Sequence, residues 1–146
     1  MKVTFIGTST CIPDIGRETS SLLIDGRHLV DAGWCTIQKI REYGFNPCID
    51  SVIFTHFHQD HYIGLPQLLF YMGLKSCRPQ NSKPLSIVGP SDHVKDIVKA
   101  ASTFLQIERF PELDVNLEIL PASSGKKYEL DGICLEALGT PHVSGM

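Results

Sequence analysis

Apolar positions fall along the chain in short runs split by polar, glycine-rich breaks, a layout of strands alternating with helices. Residues 2–7 read as a first strand, and the Gly7–Gly16 stretch as a loop with Pro13 and Asp14. Leu22, Leu23 and Ile24 suit a strand covered on both faces. Asp25-Gly26 is a two-residue hairpin signal, and His28-Leu29-Val30 returns as the third strand. Trp34, Ile37 and Ile40, three apart and set against Gln38, Lys39, Arg41 and Glu42, predict a helix over 34–43, with Trp34 as a core anchor and Gly44 as the stop. Residues 51–54 are apolar and β-branched, the mark of a buried strand. A nearly all-apolar helix over 66–74, buried on more than one side, begins with Pro66 in its first turn. Residues 75–83 form a surface loop. Its Lys75, Arg78 and Lys83 read as a solvated face in preference to a phosphate contact.

The second half of the chain continues the alternation. A strand over 85–88 ends at Gly89-Pro90, and Ser91 is placed to cap a helix over 92–105 with the stripe Val94, Ile97, Val98, Ala101 and Leu105. Val115, Leu117 and Ile119 alternate with polar residues as a half-buried strand, and Asp131-Gly132 joins 127–130 to 133–138 as a hairpin. No internal repeat or low-complexity segment is visible.

Composition narrows this picture only slightly. The chain has 146 residues, 42% of them hydrophobic and 20% charged, enough for one domain with a sizeable core. A net charge of −3 supplies no global basic field, so charge does not signal a nucleic-acid partner. The five cysteines are odd in number and widely separated. They are expected as small buried hydrophobes without a disulfide framework, which points to a reducing, cytoplasmic location. Cys11 lies in the first loop and is not expected at the site. No apolar run reaches the roughly 18 residues of a membrane span.

The chemistry concentrates in Phe54-Thr55-His56-Phe57-His58-Gln59-Asp60-His61, directly after a strand. Half of the chain's six histidines stand in these few positions, with one aspartate. Imidazole and carboxylate are preferred ligands of zinc and similar ions. In an extended backbone His56 and His58 point the same way, and a turn at Gln59 would bring Asp60 and His61 to the same pocket. That makes two ligand groups, the start of two adjacent metal sites. The competing reading, a solvated histidine-rich loop or tag, explains neither Asp60 nor the preceding strand. His28 and His93 have no such companions.

The His-x-His-x-Asp-His pattern after a hydrophobic strand resembles the metallo-β-lactamase superfamily. The following Tyr62-Ile63-Gly64-Leu65-Pro66 and the Gly7-Thr8 opening, with Pro13, Arg17 and Thr19-Ser20-Ser21 after it, look most like its ribonuclease Z-type phosphodiesterase branch. The chain departs from ribonuclease Z at 33–38. It has Gly-Trp-Cys-Thr-Ile-Gln where that enzyme usually has Gly-Glu-Gly-Thr-Gln, which weakens a role in tRNA 3′ processing. The resemblance implies an α/β fold of the αββα sandwich type, of which residues 1–146 supply roughly the first half, as a domain truncated at its C-terminus with one apolar sheet face left without its partner. It implies a zinc-dependent hydrolase binding two divalent ions, with manganese or iron as alternatives. The metal ligands would be His56, His58, Asp60, His61 and His142, and Asp60 is also a candidate for proton transfer. Asp31, ending the third strand, would hold the metal loop by hydrogen bonds. His142 follows Gly139-Thr140-Pro141 at the end of the last expected strand, which suits a third ligand of the first ion. The substrate would be a phosphodiester, RNA or a small compound, and the assembly could be a homodimer. The alternatives are a thioester or lactam hydrolase of the same superfamily, and a non-catalytic fragment or interaction module.

Overall fold

The structure is a computed structural model and describes residues 1–141. Its centre is a six-stranded sheet in the order β1-β2-β3-β4-β5-β6: Val3–Gly7, Ser21–Ile24, His28–Val30, Ser51–Ile53, Leu85–Pro90 and Leu117–Ala122. The first three strands form an antiparallel meander, and β3 to β6 run parallel. The β2–β3 hairpin closes at Asp25-Gly26, both at positive φ (50° and 70°), the conformation that the right-handed strand twist selects for a two-residue turn. Parallel neighbours need crossovers, which are supplied by helix α1 (Thr36–Glu42), by α2 and α3 (Gln59–Tyr62 and Leu65–Leu74), and by α4 (Val94–Leu105) followed by a 3-10 turn at Pro111–Leu113. A separate hairpin, β7 (Lys127–Leu130) and β8 (Ile133–Glu136), follows.

Strand alternation sorts the two sheet faces. Leu23, Leu29, Val52 and Ile87 lie opposite one another across β2 to β5, and all four are fully buried in one core with Ile37 and Ile40 of α1, Leu65, Leu68 and Met72 of α3, and Val94 and Val98 of α4. Each such side chain contributes roughly 1.5–3 kcal/mol relative to leaving it exposed. The other face carries the row Phe5, Leu22, Val30, Ile53, Val88 and Leu120. Val88 is buried, but Phe5 is 63% exposed and Leu22, Val30, Ile53 and Leu120 are only half-buried. So β2 is covered on one face, not on both. Hairpin β7–β8 covers one end of this face. Leu130 is buried, and Asp131 at the turn pairs with Arg27 (2.7 Å) and Lys83 (2.6 Å).

Under that end lies His28, whose Nδ1 meets Ser51 Oγ at 2.8 Å. Burial, followed by the Arg27 guanidinium, pulls the imidazole below its usual value of 6.5. Unfolded chains therefore take up a proton that the folded protein resists. His28 contributes no penalty above about pH 6.5, and its penalty on stability grows as pH falls below that. The urea midpoint should drop between pH 7 and pH 5, with a smaller drop in His28→Asn. An unchanged pH slope in that variant would show that His28 is not the group responsible.

Five further sequence expectations change. Trp34 is not a core anchor. Helix α1 begins at Thr36, because residues 31–33 run on beside the metal loop, and the indole is 48% exposed. The apolar α3 buries Leu65, Leu68, Leu69 and Met72 but leaves Phe70 and Leu74 exposed, so it is covered on one side only. Ser91 does not cap α4; its hydroxyl bonds Asp92, and His93 takes the cap position without a side-chain bond. The cysteines are not uniformly buried hydrophobes. Cys48 and Cys77, 29 residues apart with Cα atoms 5.4 Å apart, form a disulfide between the loops before β4 and after α3, while Cys11 and Cys134 are exposed and Cys35 is half-buried. Of the basic residues of 75–83, Lys75 is exposed, whereas Arg78 and Lys83 are ion-paired. Arg78 pairs with Asp50, which Arg27 also binds, and Lys83 pairs with Asp131. These groups cluster where β3, β4 and β5 begin, the opposite end from His56, His58 and His61.

Candidate metal centre

The metal loop starts where β4 ends. Phe54 is buried and its N–H still bonds Val88 O at 2.8 Å, so the loop leaves the sheet from a fixed point. The backbone bends at Thr55 and is extended at His58 (φ −68°, ψ 144°), and the side chains that follow separate to two sides. Phe57 turns inward to an aromatic group with Phe54 (5.5 Å between ring centroids), Tyr62 (5.9 Å) and His93 (6.4 Å). His56 and His58 turn to the other side together, and His56 Nε2 faces His58 Nδ1 at 2.8 Å. At Gln59 the chain enters the one-turn α2, with His61 N–H bonding His58 O at 3.0 Å. That turn carries Asp60 and His61 back beside the first pair. The His56 and His61 rings lie 4.0 Å apart, and His61 Nε2 stands 3.3 Å from Asp60 Oδ2.

Asp31 ties both ends of the loop. One carboxylate oxygen accepts Thr55 N–H (2.9 Å); the other accepts the Thr55 hydroxyl (2.8 Å) and His61 Nδ1–H (2.7 Å). It sits at φ 57°, a left-handed conformation that aspartate tolerates better than most residues. The bond to Asp31 assigns the Nδ1 proton of His61 and leaves Nε2 facing Asp60. The Thr55 hydroxyl also lies 3.0 Å from His56 Nδ1. If Thr55 donates to Asp31, His56 donates to Thr55, and His56 Nε2 then accepts from His58 Nδ1–H.

The loop also leans on the residues after β3. Ala32 N–H bonds His61 O at 2.7 Å, and Gly64 N–H bonds Ala32 O at 2.9 Å. From the β1–β2 loop, Thr19 Oγ1 reaches Asp60 O at 3.1 Å.

These donors fit a divalent metal by type and spacing. The facing atoms are two imidazole nitrogens in one pair, and an imidazole nitrogen and a carboxylate oxygen in the other. Two nitrogens on one tetrahedral zinc stand roughly 3.3 Å apart, from Zn–N distances of about 2.0–2.1 Å, so the first pair needs to open by only a few tenths of an ångström. Among the described residues no three or more His, Cys, Asp or Glu form a closed group around one point; the arrangement is two facing pairs side by side, of which His56–His58 is hydrogen-bonded. Asp31 hydrogen-bonds the loop at Thr55 and His61. His142 lies outside the described residues. Glu18 and the Thr19 hydroxyl, which the sequence did not single out as part of the site, sit behind the loop. Glu18 belongs to no motif or period that would have marked it, and Thr19 is read from the sequence only as part of the opening that resembles ribonuclease Z.

The whole chain, residues 1–146, matches the family described as "Anti-Pycsar protein Apyc1". Ribonuclease Z of Myxococcus xanthus is 28% identical over 145 residues, which are 97% of this chain and 44% of that protein. The chain thus spans less than half the length of that curated relative. Among solved structures, human tRNase Z, short form, superposes with a TM-score of 0.64 at 27% identity, over 84% of this chain and 46% of that one. The metallo-β-lactamase fold protein YhfI of Bacillus subtilis superposes with a TM-score of 0.60 at 23% identity, over 87% of this chain and 47% of that one. The fold is therefore of the metallo-β-lactamase type, matched over about half of its usual length.

Proposed function

We propose, for a chain that belongs to the family of the Anti-Pycsar protein Apyc1, that the protein is a metal-dependent hydrolase of a phosphodiester. The observation that carries this reading is the facing of His56 Nε2 with His58 Nδ1, and of His61 Nε2 with Asp60 Oδ2, at the end of β4. His56 and His58, joined by His142, would hold one ion, and Asp60 and His61 would supply ligands to a second. Zinc suits nitrogen and carboxylate donors, with manganese and iron as alternatives. When bound, such ions lower the pKa of a coordinated water to about 7 and draw charge from a phosphoryl oxygen. The chain's own part is to hold the donors. Asp31 fixes the His61 ring by its Nδ1–H and pins Thr55 at the loop's start. Phe57 anchors the loop from beneath, and Asp60 is the carboxylate available for proton transfer beside His61.

A small phosphodiester is preferred over RNA on two observations. Residues 33–38 depart from the ribonuclease Z segment. Arg78 and Lys83, the candidate phosphate contacts, are ion-paired at the far end of the sheet. RNA remains the second reading, favoured by the likeness to ribonuclease Z. The half-open face of Phe5, Leu22, Val30 and Ile53 would receive a second sheet, so that residues 1–146 form the first half of a complete αββα domain. A cytoplasmic location, a homodimer and the absence of a membrane partner belong to the same reading. No helix among the described residues is long and apolar enough to cross a membrane. Fractionation and sedimentation test the location and the assembly, and the state of the Cys48–Cys77 bond in cells bears on the location, since disulfides are rare in a reducing cytosol.

Competition among probes tests the substrate class. Bis(p-nitrophenyl) phosphate should be cleaved, and cleaved faster than a chromogenic lactam or a thioester. Faster turnover of the thioester or lactam would move the protein to another branch of the superfamily. Turnover of none, with metal bound, would support a non-catalytic module.

A further inference from the structure

We infer that Glu18 is a positioning residue for the metal loop, acting through Thr19 on Asp60. This rests on the metal-dependent reading above. Glu18 is 2% exposed. A carboxylate removed from water must be paired or richly hydrogen-bonded to persist. Among the described residues no Lys, Arg or His lies within ion-pair range of it. It is held by donors from two segments instead. Oε1 accepts Thr19 N–H (2.8 Å) and lies 2.7 Å from Thr19 Oγ1, and Oε2 accepts Cys35 N–H in a short bond. Cys35 is the residue just before α1, so the carboxylate clamps the β1–β2 loop to the chain leaving β3.

The clamp points at the site. The Thr19 hydroxyl that meets Glu18 also meets the Asp60 carbonyl at 3.1 Å. Gly33 is wedged against all three. A Cβ there would stand 1.9 Å from Thr19 Oγ1, 2.8 Å from Glu18 Oε1 and 3.1 Å from Asp60 O. One hydroxyl thus separates a buried carboxylate from the backbone of a proposed metal ligand, with no room for either to shift independently. The hydroxyl has a single proton for two acceptors, so the Glu18 contact decides how firmly Thr19 holds Asp60.

Glu18→Gln keeps the shape but removes one acceptor, leaving a buried N–H, of Thr19 or of Cys35, opposed by an amide NH2. Zinc(II) titration against a chromophoric competitor, with no substrate present, reads the effect. The expected result is a zinc Kd raised about tenfold or more, the scale seen when outer-shell partners of ligands are lost. Val98→Ala, a cavity variant in the buried face of α4, should lower the melting temperature with zinc affinity unchanged. Thr19→Val and Thr19→Ser form a second pair that decides the matter where Glu18→Gln does not fold: valine should weaken zinc, and serine should restore it. Wild-type zinc affinity in Glu18→Gln or in Thr19→Val, or equal weakening in Val98→Ala, would overturn the positioning role alone. A wild-type protein that binds none of zinc, manganese and iron would overturn this role and the metal-dependent reading together.

Discussion

Replacing His58 with alanine should abolish phosphodiester hydrolysis while leaving the protein folded. The expected loss in kcat/KM is roughly 10³-fold or more, beyond the 10–100-fold typical of an outer-shell partner, because a proposed ligand itself is removed. The ring is half-buried at the end of a loop, outside the core formed by Leu29, Val52 and Ile87, so metal-free stability should change little. Its Nδ1 faces His56 Nε2 at 2.8 Å, so the change deletes one half of that donor pair. Asp31→Asn supplies the graded comparison. Asparagine keeps one acceptor for the Thr55 and His61 donors and loses the other, so its loss should fall within the 10–100-fold range. Kinetics on bis(p-nitrophenyl) phosphate, with zinc titration of both variants, check the pair. Near wild-type hydrolysis by His58→Ala would remove His58 from the site.

Gly64→Ala carries the second large expected effect, and space is the reason. Gly64 has φ −78°, which any residue adopts, so the glycine is not there for its conformational freedom. A Cβ would instead stand 2.2 Å from Gly33 O and 3.0 Å from Ala32 O. Both are backbone atoms, which no rotamer change can move. Relief requires the start of α3 to move away from the end of β3, which strains the Gly64 N–H bond to Ala32 O and the Ala32 N–H bond to His61 O. Overpacking of this kind costs roughly 1–3 kcal/mol. Here the displaced backbone is that of the metal loop, so hydrolysis should fall more than the remaining folded fraction explains. Urea unfolding and kcat/KM measured on the same preparation separate the two losses. A variant as stable and as active as wild type would contradict the close packing of these two segments.

Much of this was written locally in the chain, and what was missed is non-local. The hairpin turns at Asp25-Gly26 and Asp131-Gly132 depend on two adjacent residues, and all four take positive φ. The extended His56-x-His58 and the turn at Gln59 likewise need only neighbours. The Asp31 bonds to Thr55 and His61, by contrast, join residues 24 and 30 positions apart. Trp34 misled because its spacing from Ile37 continues the helical period past the helix's true start at Thr36. What decides that start is pairing of the residues after β3 with the metal loop, far along the chain. Cys48 and Cys77 are 29 residues apart, and nothing in that interval announces that two loops meet. Glu18 was invisible for the same reason: a carboxylate in a loop reads as solvated until the donors of Thr19 and Cys35 are folded around it.

The central claim is that the loop from His56 to His61 makes this protein a metal-dependent phosphodiesterase. Chelation followed by add-back tests it most directly. Bis(p-nitrophenyl) phosphate hydrolysis should disappear after dialysis against a chelator and return on addition of zinc, manganese or iron to wild-type protein, with no return in His58→Ala. Hydrolysis that survives chelation, or that returns equally in His58→Ala, would contradict the account.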